Sequence, residues 1–199
     1  MTADQQAPGH GVTGIALRLV GMAGPSVGIE LQHTVPASAL HQLRLFLVSV
    51  SDWFEERRPG SFDLGVVAER LGIVDSNRDG SRPFAVVVSG PGFGDEEMFD
   101  AEHGDMDLRP FIGFAPTHDV GVIAMSNGQV DHVVTALLAA EVMDIVGGVA
   151  GVETRREQVA VVGGLPGAIA QMADPSPVTF GSSELLRRWA AHPGFRLLK

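Results

Sequence analysis

Two imidazoles and two carboxylates stand close together in the chain at His118-Asp119 and Asp131-His132. A His beside a carboxylate can act as a general base, its tautomer held by the acid. Two His with two Asp could equally hold a metal ion. The first pair falls in an expected turn between strands and the second in the first turn of the helix that follows. A strand–helix junction could bring the pairs together. Adjacent residues on a helix point about 100° apart, however, which keeps Asp131 and His132 from facing one centre easily. Asp in a first helical turn is already accounted for by the helix dipole, and neither an HExxH pattern nor a nucleophile elbow accompanies the pairs. They read first as turn and helix-start chemistry. A small hydrolase or metal-dependent enzyme using His118 and His132 is the alternative.

A second group is defined by charge. Asp95, Glu96, Glu97, Asp100, Glu102, Asp105 and Asp107 fall within thirteen residues that contain no Lys or Arg. The chain has 24 acidic against 14 basic residues, so this stretch holds seven of the ten net negatives. A concentrated anionic segment can steer and select a basic partner, whereas diffuse acidity mainly aids solubility. Phe93, Met98 and Phe99 interleave with the acids, which favours a protein-docking segment over a purely solvating one. Asp105 and Asp107 with Glu102 and His103 could hold a divalent cation, but no ligand spacing here is diagnostic.

Other motifs carry less. Asp75-Ser-Asn-Arg-Asp79-Gly80 matches the first six positions of a calcium loop, yet the twelfth position, where a bidentate Glu belongs, is Val86. With Pro83 also in the way, the segment reads as an Asx-rich turn. Gly147-Gly148 and Gly163-Gly-Leu-Pro-Gly167 lack the strand-to-helix setting and the Lys of a phosphate loop. No cofactor motif emerges, and no metal site is assigned.

These residues need a scaffold, and composition bounds it. The 199 residues suffice for one core-bearing domain, with residues 1–11 as a flexible arm and 12–199 as the domain. The absence of Cys excludes disulfides and thiol nucleophiles. Thirteen of the fourteen basic residues are Arg, six of them in the isolated pairs Arg57-Arg58, Arg155-Arg156 and Arg187-Arg188, and they form no stripe, which argues against nucleic-acid binding. No apolar run approaches a membrane span and no signal segment opens the chain, so a cytoplasmic protein is expected.

Along the chain, Ile15–Val20 and Val27–His33 are expected as a hairpin across Gly21–Ser26. A helix is expected from Pro36 towards Pro59, its apolar stripe formed by Leu40, Leu43, Leu47, Val50 and Phe54, widened by Phe46 and Trp53. A shorter helix follows over 62–71, started by Ser61 and stopped by Gly72. Phe84–Ser89 is a central strand, apolar on both faces. Leu108–Ala115 and Val120–Ser126 are expected as a strand pair. The connection between Gly90 and Asp107 is therefore long, and such connections are functional, disordered or conceal a short helix. Ser126 and Gln129 have capping-box spacing for a helix running to Ile145. Val159–Val162 and Ala168–Met172 are expected as short strands, then a helix carrying Leu185, Leu186 and Trp189, and a last strand over Phe195–Leu198.

The segments Gly113-Phe-Ala-Pro-Thr-His118 and Gly121–Asn127, leading into Asp131-His132, together with the tail Glu184–Lys199, resemble an uncharacterised bacterial family of unknown function over about residues 108–199. The tail, a helix with an aromatic followed by Phe-x-x-x-Lys, is similar to those of immunity proteins that neutralise bacterial toxins. The resemblance brings no catalytic assignment. The reading that results is one α+β domain, a mainly antiparallel sheet of six or seven strands with long helices on one face. Its expected role is a cytoplasmic protein-binding module, an immunity protein or antitoxin that captures a basic protein partner. A structural domain without a discrete site is a further alternative.

Overall fold

The computed structural model describes residues 24–74, 80–94, 96–104, 106–174 and 176–198, without the Met98 side chain. The expected arm, the strand Ile15–Val20 with its hairpin, and most of the calcium-loop-like turn lie outside these residues, as do Asp95 and Asp105.

Eight strands form one sheet: β1 Ser26–Leu31, β2 Ser51–Arg58, β3 Ser61–Val66, β4 Arg82–Ser89, β5 His118–Ala124, β6 Val149–Glu153, β7 Ala168–Met172 and β8 Val178–Gly181. The helices are α1 Ala37–Val50, α2 Glu96–His103, α3 Arg109–Ile112, α4 Gln129–Val146, α5 Val159–Gly163 and α6 Ser183–Ala190. Strand order is β2-β3-β4-β5-β1-β6-β8-β7, and every neighbouring pair is antiparallel. The α+β single-sheet reading holds, with eight strands in place of six or seven.

Period-two alternation gives the sheet two different faces. Val27, Ile29 and Leu31 of β1, Phe84, Val86 and Val88 of β4, and Val120, Val122 and Ala124 of β5 pack with Leu43 and Leu47 of α1, Leu138 of α4 and Leu186 of α6. This is the main core. The residues in between, among them Glu30, Ser89 and Asp119, point to the opposite face. There a smaller core of Leu108, Ile112, Val149, Met172, Val178 and Phe180 lies beside α3. The first strand is central, with β5 along one edge and β6 along the other. Elements far apart in sequence thus meet on its second face.

Several expected elements are corrected. The first helix stops at Val50, where Ser51 turns extended and its hydroxyl donates to the Leu47 carbonyl at 2.7 Å. Phe54 still faces the core, but from β2, stacked on Phe62 at 5.7 Å. A stripe at i, i+3 and i+7 and a strand's inward positions happen to coincide there. The expected helix over 62–71 is β3 followed by a 3-10 turn at Ala68–Leu71. Phe62, Leu64 and Val66 are buried at period two, the stronger signal. Over 108–115 a short helix replaces the expected strand, because Pro110 suits a first helical turn and offers no N–H to a ladder. Residues 159–162 belong to α5, and 195–198 run irregularly while Phe195 and Leu197 are buried. The fourth helix is capped two residues later than expected: Gly128 is its N-cap, and the Asp131 carboxylate accepts the Gly128 N–H at 2.5 Å.

Candidate functional site

His118 opens β5, while Asp131 and His132 follow the far end of that strand. A strand of seven residues separates the pairs by roughly 20 Å. Each residue has a local task instead. His118 Nε2 donates to the Pro91 carbonyl at 3.1 Å, and Nδ1 lies 2.9 Å from Thr117 Oγ1, so both ring nitrogens are occupied. Asp131 forms a buried ion pair with Arg82, which begins β4. His132 is buried in the first turn of α4. Asp119 is cross-strand from Glu30 and points away from His118, onto the opposite face. The two pairs do not converge. Among the described residues, no group of three or more His, Asp or Glu is arranged to hold a metal ion.

The acidic stretch conceals a helix. Gly90, Gly92 and Gly94 lead into α2, all with positive φ. Gly90 has a specific reason: a Cβ there would meet the Thr117 carbonyl oxygen at 2.7 Å. Phe93 then lies in the notch left by Gly60, whose φ is +80° and where a Cβ would stand 2.7 Å from the Phe93 ring. The Arg58 guanidinium donates to the Phe93 carbonyl. The Glu96 carboxylate accepts the Gly92 N–H at 2.9 Å, which holds it below the usual carboxylate range together with other backbone amides and the Arg58 charge. The leading segment is therefore fastened before the helix begins.

Once formed, α2 has two sides. Glu96, Glu97 and Asp100 are exposed, as is Asp107 beyond the helix, where it pairs with Arg109 at 2.8 Å. Phe99 and His103, one turn apart, face the sheet, stacked on each other at 4.1 Å. Phe99 is 6% exposed. Its ring, expected from the sequence to be a partner contact, instead faces the sheet and fastens the helix to the protein itself. Phe93 is likewise packed against the main core. Outward acids and inward aromatics give the segment a polarity that its charge count alone does not express.

Beneath α2 lies a group of buried ionisable side chains. His103 Nε2 is 2.9 Å from Glu30 Oε2, and Nδ1 is 2.9 Å from the Phe99 carbonyl. A carbonyl can only accept, so Nδ1 carries a proton. Asp119 sits directly across from Glu30 on β5 and across from Ser89 on β4, which hydrogen-bonds its carboxyl group. The remaining oxygen, Oδ1, is buried with no hydrogen-bond partner. Burial opposes the His103 imidazolium, but the hydrogen bond and charge of Glu30, the Phe99 carbonyl and the Asp119 charge outweigh it and raise the pKa to about 9. Burial pushes Asp119 up to about 7, with Glu30 adding to the effect, His103 and Ser89 offsetting part of it, and Glu102 adding to it. From sequence, His103 stood out only as a possible cation ligand, while Glu30 and Ser89 gave no signal. The available hint was an acid in an otherwise apolar strand, Val27-Gly-Ile-Glu-Leu31.

An open depression of about 500 Å³ beside β7 is lined by Arg156, Val159, Gln171, Met172 and Asp174. It gathers none of the candidate catalytic or partner-binding residues. No helix among the described residues is long and apolar enough to cross a membrane.

A single antiparallel sheet with α1, α4, α5 and α6 on one face and the acidic helix α2 fastened to the other defines an α+β protein built around one central strand. The chain belongs to the family of unknown function DUF6368, whose family model matches residues 23–199 and so extends well beyond the half that carried the resemblance. No curated protein and no solved structure matches the chain.

Proposed function

We propose that this protein is a protein-binding module, an immunity protein or antitoxin in type, that captures a basic protein partner on the outward face of α2. One observation carries the reading: Glu96, Glu97 and Asp100 are exposed on a helix whose other side is buried. Exposed carboxylates on a fixed element present a charge pattern rather than a diffuse cloud, and such patterns raise the encounter rate and select partners. Glu102 on α2 and Asp107 just beyond it add to the same negative charge. The hydrolase reading gains no support, since His118 and His132 stand at opposite ends of β5.

Affinity capture from the native host tests the proposal, using the wild type and an E96K/E97K/D100K variant in parallel. The expected result is a basic partner that the wild type retains at low salt and loses as salt screens the contact. The variant, with an unchanged circular dichroism spectrum, should not retain it. Equal retention by both proteins would overturn the proposal.

A further inference from the structure

We propose that Glu30, His103 and Asp119 form a proton-dependent latch that holds α2 against the sheet, closed while the His103 imidazolium bridges the helix to Glu30 and released when that proton is lost. The latch is a property of the fold and is tested separately from partner capture.

Geometry supplies the argument. His103 is the last residue of α2 and its side chain makes a polar contact with the central strand, at Glu30. Both ring nitrogens face acceptors, the Phe99 carbonyl and the Glu30 carboxylate. A ring with its Nδ1 proton committed to a carbonyl can donate to a carboxylate from Nε2 only as a cation. Deprotonated, it would turn a lone pair towards a carboxylate. Glu30 and Asp119 would then lie side by side, two buried acids with no cation between them. Ser89 from β4 can donate only one hydrogen bond, and Glu102, on the helix itself, adds a further negative charge. The Glu30 and Asp119 charges and the Phe99 carbonyl therefore favour the His103 proton against the burial that opposes it. The sheet side is already closed to water: Glu30, Ser89 and Asp119 are each no more than 3% exposed. Relief must come from movement of the helix.

The two titrations act in the same direction. His103 is raised above its ordinary value, so its contribution is complete below about 6.5 and is lost as pH rises through about 9. Asp119 is also raised, so its ionisation already weakens the closed state on the way up to about 7. The latch is tightest in mild acid and opens towards alkaline pH.

Amide hydrogen exchange over residues 96–104, corrected for intrinsic rates and referred to α4, reads the opening directly. Between pH 6.5 and 9.5 the protection of α2 should fall on the order of a hundredfold, the change that a shift from 6.5 to about 9 implies. The His103 ring resonance, assigned with an H103Q variant, should titrate near 9. E30Q should drop that midpoint below 6.5 and open α2 at neutral pH. D119N removes a charge that supports the imidazolium, so it should lower the His103 midpoint in the same direction as E30Q but by less, a shift that a merely structural role for Asp119 would not produce. Unchanged α2 protection across this range, or a wild-type His103 midpoint at or below 6.5, would overturn the latch. If E30Q fails to fold, the wild-type titration alone decides.

Discussion

Asp131 offers the sharpest stability test, because its carboxylate serves two buried groups at once. It pairs with Arg82, the two side chains being 7% and 1% exposed, and it accepts the Gly128 N–H that begins α4. Removing one member of a buried ion pair leaves the other charged and desolvated, at a cost of about 3–5 kcal/mol. Losing a helix-start acceptor adds about 1 kcal/mol. D131A should therefore destabilise the protein by roughly 4–6 kcal/mol, a large share of the ~5–15 kcal/mol typical of a domain. D131N keeps an acceptor for Gly128 and should cost about 1 kcal/mol less than D131A. Replacing both partners with apolar residues, as in R82M/D131L, should cost clearly less than the sum of the two single replacements. Urea denaturation followed by circular dichroism, run as a double-mutant cycle, gives the coupling energy. Coupling below about 1 kcal/mol, or additive losses in the double variant, would refute the assignment of Asp131 as a structural anchor.

Other substitutions test how α2 is held. F99A removes a ring that is almost fully buried and should cost about 3–5 kcal/mol unless α2 detaches locally first. Loss of hydrogen-exchange protection confined to 96–104 would reveal that local detachment. G60V meets both a left-handed backbone and the Phe93 ring, so it should destabilise by at least about 1–3 kcal/mol and shift Phe93 resonances in NMR spectra. H118A frees the Pro91 carbonyl without touching the Glu30–His103 contact. Exchange should accelerate at residues 90–94 while the His103 titration stays in place.

Local signals in the sequence were sufficient where an element depends on itself. The apolar run Phe84–Ser89, the long stripe of α4 and the apolar face of α6 all appear where their patterns put them. Misreadings fell where two periods overlap, as at Phe54, or where a single residue decides, as at Pro110. The helix inside the acidic stretch was hidden because its acids dominate the composition. Its real marker is the one-turn spacing of Phe99 and His103. The buried cluster was less legible still. Glu30 and Asp119 are 89 positions apart in the chain, and they meet only because β5 pairs with the central strand in a register that no local pattern states. Conversely, His118 and His132 are near neighbours in sequence and lie at opposite ends of one strand. Closeness along the chain was the wrong guide in both cases.

The most direct test of the acidic-helix proposal is site-specific crosslinking to the captured partner. A photo-crosslinking residue would be placed in turn at position 97 on α2, position 45 on α1 and position 169 on β7. The last two are exposed apolar sites, Leu45 at 59% and Ile169 at 56%, and are the natural rivals for a docking surface. The proposal predicts crosslinks to a basic protein from position 97 alone, weakened by salt. Crosslinks from position 45 or 169, with none from 97, would contradict it.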